Sequence, residues 1–269
     1  MSDVLAEIVA VTRETVARRR GTVGEQELIV AGAQRTRAGD RRSFAAALAR
    51  PGVSVIAEHK RRSPSVGAIR EDLALEDVVV AYERGGAAAL SVLTEESRFG
   101  GSLEDLRAAR SAAALPILRK DFIVEPYQVH EALAAGADAI LLIVAALDRD
   151  ALAALHELAT GVGLDVLVEV HDAAELAIAL ELEARIIGIN NRNLSTLEVD
   201  PATTFALRES IPDGPLVVAE SGFSRRTELE RLAAAGVDAV LIGEALMRAG
   251  EIEDACRELT GVGAPTMSP

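Results

Sequence analysis

Apolar residues along the chain gather into short, nearly unbroken runs, separated by longer stretches in which they recur every three or four positions. The runs are VSVIAE (53–58), AALSVL (88–93), LPILRK (115–120), DAILLI (138–143), DVLVEV (165–170), RIIGIN (185–190), PLVVAE (215–220) and DAVLIG (238–243). Their length and their Val, Ile and Leu content predict strands, and apolar residues at almost every position predict burial on both faces. The segments between them, such as 103–114 and 226–235, carry helical spacing. Alternating strands and helices imply parallel strands with crossover connections. Eight such units within 53–243 predict an α/β chain folded as a closed (β/α)8 TIM barrel, with an open doubly wound sheet as the alternative. RGGAAAL (84–90), AAGADAI (134–140) and AAGVDAV (234–240) each set glycine at a helix end before a strand, where it supplies the left-handed C-cap. Residues 1–50 read as an N-terminal helical extension packed on the barrel, 51–261 as the catalytic barrel and 262–269 as a loose tail.

Barrel active sites form where strands run out into the loops that follow them. Polar residues closing the apolar runs are therefore the candidates: Glu58 and Lys60 after the first run, Lys120 after the third, Glu169 in the fifth, Asn190 and Arg192 after the sixth, Glu220 after the seventh. Side chains alternate along a strand, so Glu58 and Lys60 share a face with Ile56 while His59 turns toward the helices. By the same parity Lys120 goes with Leu118, Glu169 with Leu167 and Glu220 with Val218. Two explanations fit ionisable groups at such positions. One is a ring of structural ion pairs. The other is a catalytic constellation in which a crowded lysine loses affinity for its proton and a crowded glutamate gains it. Several such groups in one mouth favour the second.

Composition narrows the function classes. The 269 residues are 49% hydrophobic but only 3% aromatic, with no Trp, so aliphatic side chains fill the core. A formal net charge of −14 argues against a nucleic-acid partner, which requires a basic stripe. The single cysteine, Cys256, allows no internal disulfide. The first twenty residues lack a signal-peptide core, and no stretch has the roughly 18 uninterrupted apolar residues of a membrane span. A soluble cytoplasmic protein without a membrane partner is expected, a monomer or weak homo-oligomer. Anion capture in so acidic a chain needs its own source. AESGFS (219–224) and LIGEAL (241–246) set Ser221 and Gly222, and Gly243 and Glu244, after the last two strands, where barrels hold phosphate on backbone N–H groups. SPSVG (63–67) adds hydroxyls after the first. Together they predict a small phosphorylated ligand.

With these residues in hand, the sequence resembles the indole-3-glycerol-phosphate synthase family of tryptophan biosynthesis. The motifs are AEHKRRSPSVG (57–67), LSVLTEESRFGGS (90–102), LPILRKDFIVEPYQV (115–129), GADAILLI (136–143), LVEVH (167–171), IGINNRNL (187–194), VAESGFS (218–224) and LIGEALM (241–247). The resemblance implies a cofactor-free carboxy-lyase that closes the ring of 1-(2-carboxyphenylamino)-1-deoxyribulose 5-phosphate with loss of CO2 and water. It makes Lys120 the general acid, Glu169 its acid/base partner, Lys60 the carboxylate-binding lysine and second acid, and Glu58 a supporting glutamate. Asn190 resembles the residue bonded to the substrate hydroxyls, and Glu220 a further substrate contact. Ser63, Arg192, Ser221, Gly222 and Gly243 look like phosphate-side positions, while Pro64, Phe99, Phe122, Leu142 and Leu194 resemble apolar walls for the aromatic ring. Val66 stands where many relatives carry Lys, and Glu244, beside the phosphate, where some carry Ser. The helical first 50 residues resemble the family's extension over the barrel mouth.

Other signals lead elsewhere or nowhere. His59, His130, His156 and His171 are scattered, and HDAAE (171–175) lacks the two-histidine helical spacing of a zinc site. RRRG (18–21) has acidic neighbours, and GVG (161–163) lacks a dinucleotide-loop pattern. No metal or cofactor is expected. The rival readings are a phosphosugar isomerase or Schiff-base aldolase on a similar barrel, and a non-catalytic phosphate-binding subunit.

Overall fold

The computed structural model describes residues 3–64, 66–194 and 196–263. Ser65 of the SPSVG stretch and residues 264–269 of the tail lie outside them. Eight parallel strands close into a barrel in chain order: β1 (Ser54–His59), β2 (Ala89–Leu93), β3 (Ile117–Lys120), β4 (Ala139–Ile143), β5 (Asp165–Val170), β6 (Ile186–Asn190), β7 (Leu216–Glu220) and β8 (Ala239–Ile242). Each lies within two residues of its apolar run at either end. Closure is made by β1 pairing with both β2 and β8, which excludes the open doubly wound sheet.

The period-two alternation sorts the core into two layers. Val55, Ala57, Val92, Ile140, Leu142, Val166 and Val168 face outward into one apolar layer with the helices. Ile56, Leu118, Leu141, Leu167, Val218 and Leu241 face inward and fill the barrel. The packed outer helices are α4 (Leu75–Arg84), α5 (Leu103–Ala112), α6 (Pro126–Ala135), α7 (Arg149–Gly161), α8 (Ala173–Glu181), α9 (Ala202–Arg208), α10 (Arg226–Ala234) and α12 (Ile252–Leu259), with the short α11 (Glu244–Met247) directly after β8. Among the described residues no helix is long and apolar enough to cross a membrane.

The N-terminal helices occupy three sides of the barrel. α3 (Phe44–Leu48) closes the end away from the mouth: Phe44 and Leu48 are fully buried, the Ala45 N–H donates to Asp165 at the start of β5, and Ser54 donates to the Leu48 carbonyl. α2 (Glu25–Arg37) runs along α6, where Gly32 permits close approach, since a Cβ there would meet Leu133 at 2.8 Å. Only α1 (Asp3–Arg20) reaches the mouth side. There Arg19 spans Glu96 (2.7 Å) and Glu131 (3.2 Å), and Arg98 pairs with Glu7. Two of the three helices are thus engaged elsewhere, because the open lower end and the face of α6 offer apolar surface that they cover.

Candidate active site

The ends of the strands surround a hollow of about 500 Å³. β1 delivers Glu58 and Lys60, β3 Lys120, β5 Glu169, β6 Asn190 and β7 Glu220, all lining the one hollow. Parity explains the convergence: Glu58, Lys120, Glu169 and Glu220 each stand two residues beyond an inward apolar side chain of the same strand, Lys60 two beyond Glu58, and Asn190 four beyond Ile186. Taking these charges out of water is costly unless they are paired, and they are.

Lys120 lies between two carboxylates, its Nζ donating to Glu169 Oε2 at 3.1 Å and to Glu220 Oε2 at 3.0 Å. Burial works against its charge, but Glu169, Glu220 and Glu58 outweigh that and hold its pKa above the ordinary lysine value. The loss of proton affinity open to a lysine in a dry pocket is therefore reversed by the three carboxylates around it. Glu169 also accepts from Asn190 Nδ2 on its other oxygen at 3.2 Å. Burial would raise its pKa, yet Lys120, His171 and Asn190 pull it below the usual carboxylate range. Glu220 goes the other way, pushed up to about 7 by burial and repelled by Glu169, with Lys120 only partly offsetting this. Its Oε1 is buried with no hydrogen-bond partner among the described residues.

On the β1 side, Lys60 Nζ pairs with Glu58 Oε1 at 3.1 Å while Ser91 donates to Oε2 at 3.1 Å. Burial opposes the Glu58 charge, and Lys60, Lys120 and Ser91 restore it, leaving the pKa lowered. Ser91 was not among the sequence candidates. Its signal was a lone hydroxyl in the inward parity of AALSVL, in register with Glu58 across the strand pair.

Around this centre lie the remaining candidates. Arg192, Ser221, Gly222, Gly243 and Glu244 line the far side of the hollow, together with Arg248, which pairs with Glu244 at 3.0 Å. Ser221 and Gly222 both take left-handed backbone (φ 63° and 90°), and the space where a Gly222 Cβ would stand is filled by Val199 at 2.8 Å. Ser221 donates to Asn190 Oδ1 at 2.9 Å, and the Arg192 N–H to the same oxygen at 3.0 Å, linking the two sides of the mouth. Gly243 has a further reason to be glycine: a Cβ would meet Glu58 Oε1 at 2.8 Å.

Phe99, Phe122 and Leu194 contribute apolar wall. Three candidates are not in the hollow. Leu142 faces the helices and is fully buried in the outer layer; the wall of β4 is made by Leu141 and Ile143, which have the inward parity. Ser63 and Pro64 are not among the described residues that line the hollow; after Lys60 the chain turns into a hairpin, Arg62–Ser63 against Gly67–Ala68.

The polar chain behind β3 also bears on Lys120. Arg119, of opposite parity, is fully buried and bonds Asp121 (2.9 Å), Glu131 (2.9 Å) and Thr94 (3.0 Å). It fixes the backbone on either side of Lys120, and Arg19 of α1 joins the same Glu131.

Comparison with known proteins agrees with this geometry. The family model described as indole-3-glycerol phosphate synthase matches residues 5–259. The chain is 48% identical over 267 residues to the indole-3-glycerol phosphate synthase of Kineococcus radiotolerans, covering 97% of this chain and 96% of that one. It is 51% identical over 225 residues to the protein of the same name from Rhodococcus jostii, 84% of each chain. Among solved structures, 3-hexulose-6-phosphate synthase from Salmonella typhimurium superposes with a TM-score of 0.62 at 15% identity, covering 78% of this chain and 98% of that one. A chain of the tryptophan synthase complex from Pyrococcus furiosus gives 0.60 at 16% identity, covering 79% and 99%. At such identities these two speak for the barrel fold alone.

Proposed function

The chain belongs to the indole-3-glycerol phosphate synthase family, and we propose that the hollow at the barrel mouth carries out that family's ring closure with the residues described above. The substrate is 1-(2-carboxyphenylamino)-1-deoxyribulose 5-phosphate. Its ring carbon bearing the carboxylate attacks the ribulose carbonyl, CO2 leaves with its bonding electrons returned to the ring, and the new hydroxyl departs as water while the neighbouring carbon gives up a proton.

Lys120 is the general acid. Held as an ammonium, it stabilises charge developing on the carbonyl oxygen and donates its proton to the oxygen that leaves. Glu169, ionised and 3.1 Å away, is the base that takes the proton of the final elimination. Lys60 orients the substrate carboxylate and, as the second acid, gives the first proton to the new alkoxide, and Glu58 restrains Lys60. The apolar wall of Leu141, Ile143, Phe99, Phe122 and Leu194 suits the aromatic ring and disfavours a charged carboxylate, which eases its conversion to neutral CO2. Arg192, Arg248 and the backbone of Ser221, Gly222 and Gly243 suit the phosphate. Each proton has a side-chain donor or acceptor, so the reading calls for no cofactor.

The observation that carries this reading is the single ammonium shared by two buried carboxylates at the end of three separate strands. It also speaks against a Schiff-base aldolase, because a lysine whose proton affinity is raised lacks the free electron pair that attacks a carbonyl. Incubating the purified chain with the carboxyphenylamino substrate, and following indole absorbance with released CO2, tests it. One CO2 per indole product is expected; substrate left unchanged, or consumed without CO2, would overturn it.

A further inference from the structure

Glu169 and Glu220 share one ammonium, and their contacts with Lys120, 3.1 and 3.0 Å, do not tell them apart. The difference lies behind Glu169. His171 stands two residues further along, on the same face, and brings Nε2 to 3.3 Å from Glu169 Oε1 while its Nδ1 lies 2.9 Å from Glu175 Oε2. A neutral imidazole has one N–H and one lone pair, so either tautomer would set an unprotonated nitrogen beside a carboxylate, whereas the imidazolium faces both carboxylates with positive charge. Among the described residues Nε2 makes no hydrogen bond, so its contact with Glu169 is that of an ion pair.

The HDAAE stretch builds this arrangement locally. Asp172 caps α8 by accepting from the Glu175 N–H at 2.9 Å, and Glu175, in the third helical position, reaches back to accept from the His171 N–H at 2.8 Å. The same Glu175 oxygen then takes the ring Nδ1. Glu220 has no counterpart: its Oε1 is buried without a donor and faces Gly188.

We propose that His171 is a positioning residue that decides which of the two glutamates sharing Lys120 carries the negative charge, keeping Glu169 ionised and leaving Glu220 to hold a proton. The proposal rests on the reading of Glu169 as the base. Glu169 is faced by Lys120 from β3, by Asn190 from β6, by Glu220 from β7 and by His171; Glu58 and Lys60 act on the group through Lys120. His171 is faced by Glu169 and by Glu175 of α8. It is thus the one cation in this set that touches Glu169 and not Glu220. The titration directions agree. Burial disfavours the imidazolium, but the two carboxylates raise it to about 10.

Two measurements on the full chain test this. NMR titration of the imidazoles, with the His171 signal identified by its loss in His171→Gln, is expected to find both ring protons retained at pH 8.5. Titration at or below the ordinary 6.5 would overturn the proposal. At neutral pH, His171→Gln is expected to lower kcat about tenfold or more with KM within about twofold, and His171→Lys, which returns a cation, to recover most of the loss. A kcat within twofold in the Gln variant, or equal losses in the two variants, would also overturn it. The NMR arm needs neither variant turnover nor substrate, so it decides the proposal even if the unaltered chain makes no indole product, a result that would count against the reaction assigned above.

Discussion

Gly188 on β6 lies directly against the carboxylate of Glu220, close enough that a Cβ at 188 would stand 2.3 Å from Oε1 and 3.2 Å from Leu167. The backbone at 188 is ordinary strand, so space alone demands glycine there. In register beside Glu169, that missing side chain is what lets Glu220 lean back across the barrel toward Lys120. Gly188→Ala should displace the Glu220 carboxylate and break its pair with Lys120. Overpacking of this kind costs about 1–3 kcal/mol, and urea unfolding is expected to find it, together with a fall in kcat of about tenfold or more. Unchanged kcat would mean that Glu220 is not needed where it stands.

The same carboxyl makes stability depend on pH. Its pKa rises from 4.5 in the unfolded chain to about 7 in the folded one, first through burial. Between those values the folded chain keeps a proton that the unfolded chain has released, so the fold loses stability as pH climbs from 4.5 to 7 and the loss is complete above 7. The upper bound is roughly 3 kcal/mol for such a shift. His59, lowered to about 4 by burial, raises stability with pH across much of the same range, and His171, raised to about 10, lowers it above 6.5. The quantity to follow is therefore the difference between Glu220→Gln and the unaltered protein. Urea midpoints at intervals from pH 4.5 to 8 should find the variant gaining on the parent as pH rises toward 7. A difference that stays flat would remove the buried proton from Glu220.

The barrel and the convergence of Glu58, Lys60, Lys120, Glu169, Asn190 and Glu220 were legible because both follow from period-two alternation, which carries no information about distance but fixes the face. What that parity cannot give is the direction in which a pKa moves. A lysine beside another cation or in a dry pocket loses affinity for its proton, but Lys120 holds it more tightly, because which sign of charge surrounds Nζ depends on three strands far apart in sequence. Parity could not place Ser63 and Pro64 either: it ends where the strand does, and the hairpin after Lys60 turns on local backbone. His171 was set aside as a failed zinc pattern. The D-x-x-E capping box beside it was visible, but not the ring's second carboxylate.

Leu141 and Leu142 separate wall from scaffold. Leu141 lines the hollow, whereas Leu142 is wholly enclosed among the helices. Truncation of either removes buried apolar volume, and about 2–5 kcal/mol is typical. Leu142→Ala should therefore unfold at lower urea with KM unchanged. Leu141→Ala should pay in stability too, but with KM raised severalfold as the ring loses its contact. Steady-state kinetics beside urea titrations distinguishes them; a raised KM in Leu142→Ala alone would reverse the assignment of faces.

Lys120 is the sharpest test of the chemistry, because two of its properties can be removed separately. Lys120→Met takes away both the charge and the proton, leaving Glu169 and Glu220 to face each other without the ammonium between them; His171 is the cation that remains beside Glu169, and Glu220 should hold its proton more firmly at neutral pH. Turnover should fall by about a thousandfold or more. Affinity for inorganic phosphate, read by calorimetry, should change little, since Arg192, Arg248, Ser221 and Gly222 belong to other strand ends. Lys120→Arg restores a cation whose pKa is too high to give up a proton readily. If Lys120 acts as an acid, the Arg variant stays nearly as slow as the Met variant. If it acts only by stabilising charge on the carbonyl oxygen, Arg recovers a large share of kcat, and the proton must be drawn from another group in the mouth, of which Glu220 is the one that still holds it near pH 7.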